Sequence, residues 1–208
     1  MVGRAFLVEH RGVLTLVDTG SAGSARRVLT ALEAVGRAPD DVRQIVLTHS
    51  HGDHAGEGAR LRELTGAPVL AGAADVEAIA GRAPYAHAPR AWGRAVYGWL
   101  ARFPRFEVDR GVTERTEIDG GLVVLPAPGH TAGHLAVWAP DDRALMAGDA
   151  VWNVAGFRPS WRAFTQDPER NRETVRELAD LPSESVFTGH GPPIRRGGRS
   201  HLRALAGR

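Results

Sequence analysis

The chain has 208 residues, of which 43% are hydrophobic and 24% are charged. This composition is typical of a soluble globular protein with one large core, and it excludes disordered and collagen-like chains. All 26 basic residues are arginine and 24 residues are acidic, so the net charge is only +2 and does not indicate a nucleic-acid partner. Because cysteine is absent, any metal must be held by imidazole and carboxylate groups.

The start of the chain lacks the charged segment, apolar centre and cleavage site of a signal peptide. No apolar run approaches the roughly 18 residues of a membrane span. We therefore expect a cytoplasmic protein that does not insert into a membrane, and we interpret residues 1–208 as a single domain.

The first half of the chain alternates strand and helix patterns. Residues 5–9 and 13–17 are short apolar runs and predict a hairpin. An amphipathic helix is predicted next, with its buried face formed by Ala25, Val28, Leu29, Leu32 and Val35. Further strands are predicted at residues 44–48 and 68–71, and further helices at 58–64 and 73–80.

Residues 84–108 are rich in aromatic side chains and are interpreted as a helical, aromatic insert. One interpretation is a small cluster that packs on the domain or forms a homodimer contact. The other is a lid that walls an apolar pocket for a small molecule. The candidate pocket residues are Trp92, Tyr97, Trp99 and Phe103 of the insert, together with Trp152 and Phe157 from a later segment.

The second half is richer in strand patterns. Strands are predicted at residues 112–118, 122–126, 134–139, 143–147 and 185–188, and a helix is predicted to begin at Asp167 and Pro168. From His190 onward the chain carries five arginines and no acidic residue, which we interpret as a solvated basic tail. The order of elements favours two sheets packed together with helices outside.

The segment "IVLTHSHGDHAG", residues 45–56, places three histidines and an aspartate directly after an apolar run. Such residues are poor strand formers and poor core residues, so their clustering indicates a binding site. Similar polar residues follow apolar runs in "APGHTAGH", "MAGDAV" and "FTGHG". The candidate metal ligands are His49, His51, Asp53, His54, His130, Asp149 and His190.

Five imidazoles and two carboxylates are too many for one tetrahedral zinc ion and suit two metal ions that share a carboxylate. Gly52 allows the backbone to turn, so that His49 and His51 face one ion while Asp53 and His54 face the other. Two adjacent ions hold a hydroxide, lower its pKa and polarise a carbonyl or phosphoryl group. The pattern therefore predicts a hydrolase.

The motif from His49 to His54 resembles the HxHxDH signature of the metallo-beta-lactamase superfamily, and the later segments are similar to its other ligand motifs in the same order. The resemblance implies an α+β fold, an αββα four-layer sandwich in which two mixed β-sheets are flanked by helices. It assigns His49, His51 and His130 to the first metal and Asp53, His54 and His190 to the second. It makes Asp149 the bridging ligand, and Asp53 and Asp149 the catalytic carboxylates.

The wording of these motifs is most similar to the glyoxalase II branch, which hydrolyses thioesters. That branch grips glutathione with a C-terminal helical domain, whereas this chain runs about eighteen residues past His190, so a glutathione thioester is not the expected substrate. The resemblance implies two zinc ions, with iron or manganese as alternatives, and a hydroxide that cleaves an ester, thioester or lactone. Beta-lactamases with a cysteine ligand are excluded by composition.

Two alternatives remain at this point. Persulfide dioxygenases resemble the chain in the same motifs but use a single iron held by residues matching His49, His130 and Asp149. A non-catalytic domain whose metals brace a binding surface is the other. Two further residues are expected beside the site: Asp18 of "LVDTG", which hydrogen-bonds near the metal loop, and His134, a structural histidine.

Overall fold

A computed structural model describes residues 3–84 and 103–207 of the protein. Most of the predicted insert at residues 84–108, including Trp92, Tyr97 and Trp99, lies outside the described residues. No helix in the described ranges combines the length and apolar character needed to cross a membrane. The cytoplasmic location stays a prediction.

The first sheet is built from the N-terminal half of the chain. Its strands are β1 (Phe6–His10), β2 (Val13–Val17), β3 (Val42–Val46), β4 (Val69–Gly72) and β5 (Arg110–Val112), in that spatial order. β1 is antiparallel to β2, and the remaining neighbours are parallel. Helices α1 (Ala25–Ala34), α2 (Gly58–Thr65) and α3 (Ala73–Ile79) lie between these strands in sequence.

The second sheet comes from the C-terminal half. Its strands are β6 (Thr116–Glu117), β7 (Val123–Pro126), β8 (Leu135–Ala139), β9 (Ala144–Gly148) and β12 (Ser185–Thr188), in the spatial order β12-β9-β8-β7-β6. Only β12 and β9 are parallel. A separate hairpin pairs β10 (Val151–Asn153) with β11 (Phe157–Pro159). The helices are α4 (Pro168–Leu178) and α5 (Gly198–Ala206), and 3-10 turns lie at Pro39–Asp41, Asp119–Gly121 and Arg162–Phe164.

Three hydrophobic clusters define the layers. One cluster, which includes Val46 and Val137, lies between the two sheets. A second, which includes Leu32 and Ile45, joins the first sheet to its helices, and a third, which includes Leu145 and Val175, joins the second sheet to α4 and α5. The described residues therefore form helix, sheet, sheet and helix layers, which confirms the expected αββα sandwich.

Local sequence signals explain most element boundaries. Asp167 caps α4 by accepting hydrogen bonds from the backbone amides of Glu169 and Arg170, and Pro168 occupies the first helical position. Gly36 has a positive φ of 69°, which lets the chain leave α1. Val35 was predicted on the buried face but is 62% exposed, because the helix has already ended at Ala34.

Two further sequence predictions differ from the structure. Residues 112–118 were predicted as one strand, but β5 pairs with the first sheet and β6 with the second, so the chain crosses between sheets at residues 113–115. The segment after His190 was predicted as a solvated tail. It contains α5, whose Leu202 and Leu205 are buried in the second helix layer. The amphipathic pattern of this nine-residue helix was not recognised from the sequence, because arginines are so frequent in the segment.

Candidate metal centre

Four chain segments meet at one edge of the sandwich. His49 to His54 follow β3, His130 follows β7, Asp149 follows β9 and His190 follows β12. In the second sheet β7, β9 and β12 run in the same direction, because β8 is antiparallel to both β7 and β9. Their carboxyl ends therefore lie at a common edge. The hydrogen bond from the Leu135 amide to the Thr48 carbonyl, 2.7 Å, joins this edge to that of the first sheet.

His49, His51 and His130 form one group of possible ligands, with one ligand atom from each within 4.8 Å of the others. All three side chains are buried. His51 Nδ1 lies 3.1 Å from His130 Nε2. Two nitrogen ligands on one tetrahedral zinc, each about 2.0–2.1 Å from the ion, would be about 3.3 Å apart. The group therefore has the spacing of a shared metal site.

Asp53, His54 and His190 form a second group by the same criterion. Asp53 Oδ2 lies 3.2 Å from His190 Nε2 and 3.8 Å from His54 Nε2. This group is nearer to solvent than the first, since the Asp53 side chain is one-quarter exposed. Its mixture of two imidazoles and a carboxylate suits zinc, iron or manganese.

Asp149 contacts both groups. Its Oδ2 lies 3.4 Å from His130 Nε2 and 3.2 Å from His190 Nε2, and its Oδ1 lies 3.5 Å from His54 Nε2. Asp149 also groups with His49 and His54. A carboxylate between two sets of three ligands has the arrangement of a bridging ligand.

Several buried atoms at this edge lack a hydrogen-bond partner in the described part of the chain. They include His49 Nε2, His54 Nε2 and Asp149 Oδ1. A buried polar atom without a partner costs about 1–3 kcal/mol, so three of them in one place require compensation. Metal ions bound through these atoms would supply it, and the donor set present fits two such ions.

The charges divide the imidazoles into two kinds. Burial lowers the pKa of His49, His51 and His130, which favours neutral rings with a lone pair for a metal. Burial also opposes charge on His54 and His190, but nearby carboxylates, above all Asp149, raise their pKa values to about 10 and about 9. In the metal-free protein these two rings hold protons, which metal binding must displace.

The carboxylates show the complementary effect. Burial alone would raise the pKa of Asp53, but the positive charge of His54 and a hydrogen bond with His190 lower it to about 2. The same two rings keep the pKa of Asp149 below its ordinary value despite complete burial. Both carboxylates are therefore ionised, as metal ligands must be.

Asp18 connects two candidate ligand histidines. This buried residue has a positive φ of 61° and accepts hydrogen bonds from the Thr48 amide (2.7 Å), the Thr48 hydroxyl (2.9 Å) and His54 Nδ1 (2.8 Å). Since the Thr48 hydroxyl proton points to Asp18, His49 Nδ1 donates to Thr48 Oγ1 at 3.0 Å. His49 then presents an unprotonated Nε2 to the site, whereas Nε2 of His54 would do so only after losing the second proton of that ring.

His134 also lies beside the ligands. Its Nε2 accepts a hydrogen bond from the Asp149 amide at 2.9 Å. Burial lowers its pKa to about 4, so the ring is neutral at physiological pH. It supports the backbone of Asp149.

Asp75 was missed in the sequence analysis. This buried side chain at the start of α3 accepts hydrogen bonds from the Ser50 amide (2.9 Å), the Thr131 hydroxyl (2.8 Å) and the Gly133 amide (3.0 Å). It therefore ties the loop of His49 and His51 to the loop of His130. Acidic residues are common in the first turn of exposed helices, so the sequence carried no signal for this role.

An aromatic wall borders the centre. The Trp152 ring centroid lies 4.9 Å from that of His190 and 6.2 Å from that of His130. Trp161 and Phe164 continue the wall, at 5.6 and 5.9 Å from Trp152. These two residues were not predicted, because they lie in a segment without a motif.

The other predicted pocket residues lie apart from this wall or outside the described residues. Phe157 packs with the helix layer of the second sheet, and its ring lies 6.0 Å from that of His201. Phe103 packs in the core of the first sheet, where it is 7% exposed. Nothing in the structure bears on Trp92, Tyr97 and Trp99.

Comparison with known proteins gives a consistent result. The sequence profile of the Metallo-beta-lactamase superfamily matches residues 2–190. The chain is 30% identical to the probable metallo-hydrolase YflN of Bacillus subtilis (strain 168), over 93% of this chain and 81% of that protein. It is 31% identical to a hydroxyacylglutathione hydrolase of Cereibacter sphaeroides (strain ATCC 17025), over 89% of this chain but only 61% of that enzyme. Among solved structures, TTHA1623 in a di-iron-bound form superimposes with a TM-score of 0.73 at 26% identity, over 98% of this chain and 93% of that one.

Proposed function

The chain belongs to the metallo-beta-lactamase superfamily, and on that premise we propose that it is a dinuclear zinc hydrolase that cleaves an ester, thioester or lactone. Similarity to metallo-hydrolases and to hydroxyacylglutathione hydrolase supports a metal-dependent hydrolase of small molecules in general. The di-iron form of TTHA1623 shows that this fold accommodates two ions. We take residues 1–208 as one catalytic domain.

The position of Asp149 between the two ligand groups is the observation that carries the proposal. In the proposal, one ion is held by His49, His51 and His130 and the other by Asp53, His54 and His190. Asp149 is shared between them. A structural zinc site needs only four ligands, whereas seven candidate ligands meet here. This difference argues against a non-catalytic domain whose metals only brace a binding surface.

Two bound ions would supply a hydroxide nucleophile at neutral pH and polarise the substrate carbonyl. The protein's own contribution is to orient that chemistry and shield it. Asp18 fixes the ring orientation of His54, and Asp75 holds two ligand loops at a constant separation. Trp152 and Trp161 would exclude water from one side and contact the apolar part of the substrate.

The proposed reaction class is that of the related hydrolases, but their particular substrates are not assigned to this protein. The chain spans 61% of the length of the hydroxyacylglutathione hydrolase it matches, so the features by which that enzyme selects its substrate are not carried over. Carbonyl hydrolysis is retained because it needs only the hydroxide and the polarisation that two ions held by this ligand set would supply.

The proposal is tested with Asp149→Asn and the matched exposed variant Asp180→Asn. The Asp149 variant is expected to hold about one metal ion per chain where the native protein holds about two, and to lose at least about a hundredfold in turnover, because a shared ligand is removed. Elemental analysis and a panel of esters, thioesters and lactones measure both quantities. Full activity of Asp149→Asn with two ions bound would refute the shared role.

Elemental analysis of the native protein also tests the alternative oxygenase. About one iron per chain, together with oxygen consumption on a persulfide, would replace the hydrolase with a persulfide dioxygenase. About two zinc ions and no oxygen consumption would support the hydrolase.

A further inference from the structure

Two buried hydroxyl groups lie behind His130, on the side of its ring away from the other ligands. Ser160 directly follows β11, and Thr165 directly follows the 3-10 turn Arg162–Phe164. Both side chains are buried. His130 Nδ1 lies 3.3 Å from Ser160 Oγ, Ser160 Oγ lies 2.8 Å from Thr165 Oγ1, and Thr165 Oγ1 lies 3.0 Å from the Trp161 carbonyl oxygen.

The Trp161 carbonyl oxygen at the end of this series of hydrogen bonds fixes the direction of each bond in the series. A carbonyl oxygen only accepts, so the single proton of the Thr165 hydroxyl points to Trp161. Thr165 Oγ1 must then accept from Ser160, and Ser160 Oγ must accept from His130 Nδ1. The imidazole proton therefore resides on Nδ1, and His130 Nε2 is left with its lone pair.

The segment that carries the hydroxyls is itself bound to the ligand loops. The Gln166 amide donates to the His130 carbonyl at 3.1 Å, and the Asp167 amide donates to the Gly129 carbonyl at 2.8 Å. The Ser160 amide donates to the carbonyl of Ala150, the residue after Asp149, at 3.4 Å. These backbone hydrogen bonds fix the positions of the Ser160 and Thr165 hydroxyl groups relative to His130.

We propose that Ser160 and Thr165 are positioning residues of the metal centre, which hold His130 as the Nδ1-protonated tautomer and so direct its Nε2 to the metal. The inference rests on the proposed function in that it takes His130 as a metal ligand. Ser160 acts directly on the ring. Thr165 acts only through Ser160, because it keeps the Ser160 proton away from His130. Neither role is visible from sequence motifs, since both hydroxyls lie in the segment between the Asp149 and His190 motifs.

The test uses full-length protein and three substitutions. Ser160→Ala removes the acceptor for His130, Thr165→Val removes the second hydroxyl while keeping the side-chain shape, and Thr165→Ser restores that hydroxyl. Ser183→Ala is the control, because Ser183 is a buried serine whose hydroxyl has no hydrogen-bond partner in the described ranges. Zinc affinity is measured by competition with a chromophoric chelator. The state of the His130 ring is measured by long-range ¹H–¹⁵N correlation NMR.

We expect zinc to bind about 10–100-fold more weakly to Ser160→Ala and to Thr165→Val, which is the usual effect of losing a hydrogen-bond partner of a ligand histidine. Thr165→Ser and Ser183→Ala should bind zinc like the native protein. The native spectrum should show His130 protonated at Nδ1, with slow exchange of that proton, with or without zinc. In Ser160→Ala the exchange should become fast.

The outcomes separate this inference from the proposed function. If native protein binds zinc and Ser160→Ala and Thr165→Val bind it equally well, the positioning role is refuted. An equal loss in Thr165→Ser and Thr165→Val would assign the effect to packing and would also refute it. A third outcome is that the native protein binds no zinc, while His130 is protonated at Nδ1 and loses this NMR signature in Ser160→Ala. In that case the proposed function is wrong, but the role of Ser160 and Thr165 in fixing the His130 tautomer is supported.

Discussion

At the scale of single residues, Asp75 joins two loops that carry candidate ligands. Its Oδ2 accepts from the Ser50 amide and the Thr131 hydroxyl, and its Oδ1 accepts from the Gly133 amide. A carboxylate accepts at both oxygens, whereas an amide side chain accepts at only one. Asparagine at this position would therefore place a donor opposite a donor in a buried site.

We predict that Asp75→Asn lowers the free energy of unfolding by about 1–3 kcal/mol, because at least one buried donor loses its acceptor. Denaturant unfolding measures the change. Glu77→Gln is the matched control, since Glu77 is an exposed acid of the same helix paired with Arg82. Its effect should stay within about 0.5 kcal/mol. Equal effects of the two substitutions would show that Asp75 does not hold the loops.

Some residues of the candidate site could be predicted from the sequence and others could not. The seven candidate ligands were recognisable because each follows an apolar strand pattern and four of them are crowded into six positions. The structure brings these seven side chains together, although their roles as ligands stay predictions. Asp75, Ser160 and Thr165 carried no such signal. Their importance comes from partners distant in sequence, which only the fold makes neighbours.

At the scale of secondary-structure elements, α5 decides whether the segment after His190 is part of the domain. Leu202 is fully buried with Val186 of β12 and Val175 of α4. The prediction of a solvated tail rested on five arginines; two of them, Arg199 and Arg203, lie in the amphipathic helix α5, where Arg203 is exposed.

Leu202→Ala is predicted to destabilise the protein by about 2–5 kcal/mol, through lost apolar burial and a residual cavity. Arg203→Ala, one position further along the same helix and exposed, should change stability by less than about 0.5 kcal/mol. Thermal or denaturant unfolding of the two variants provides the comparison. Similar stabilities would mean that α5 does not contribute to the core.

Asp109 links three elements of the first sheet. It precedes β5, accepts hydrogen bonds from Arg62 of α2 at 2.7 and 3.1 Å, and accepts from the Val69 amide of β4 at 2.8 Å. The hydrogen bond with Arg62 is the main cause that lowers the pKa of its carboxyl group in the folded protein. The ionised form is therefore favoured by folding.

Because the folded pKa lies below the unfolded value of about 3.9, this contribution is complete above that pH and is lost as pH falls through the folded pKa. We predict that Asp109→Asn costs about 1 kcal/mol at neutral pH. The difference from native protein should shrink toward zero in strongly acidic solution. Unfolding of both proteins across this range measures it, with exposed Asp180→Asn as the control. A difference independent of pH would exclude the ionic contribution.

Regular elements were predicted well where a single periodicity covered the whole element. The hairpin of β1 and β2 and helix α4, with its Asp167 cap, are of this kind. The pattern at residues 112–118 misled, because residues 113–115, where the chain changes sheet, contain no glycine or proline that would mark a break. The short hairpin of β10 and β11 has too few residues for periodicity to appear.

At the scale of the whole molecule, the candidate metal centre lies where the two sheets meet. One ligand-bearing loop comes from the first sheet, and the other three ligand segments come from the second. The order of these motifs was sufficient to predict the αββα sandwich and the superfamily. Of the aromatic wall, Trp152 was a candidate from the sequence, whereas Trp161 and Phe164 were not, since their neighbours are set by tertiary packing.

We predict that removal of metal with a chelator lowers the unfolding temperature, and that added zinc restores it. Ions that bind only the folded state stabilise it by about 2.7 kcal/mol when present at a hundredfold excess over the dissociation constant. Calorimetry with and without chelator measures the shift. Asp149→Asn should show a smaller shift, because it retains fewer ions. An unfolding temperature that does not respond to chelator would mean that metal does not link the sheets.

The wide separation of the ligands along the chain bears on how the protein matures during synthesis. His49 is made early, but His130 is added only after β7, Asp149 only after β9 and His190 only after β12. A nascent chain on the ribosome thus has several strands and helices of the first sheet before either ligand group is complete. On the proposed assignment the first ligand group is complete once His130 has been made, whereas a chain arrested before His190 would lack one member of the second group.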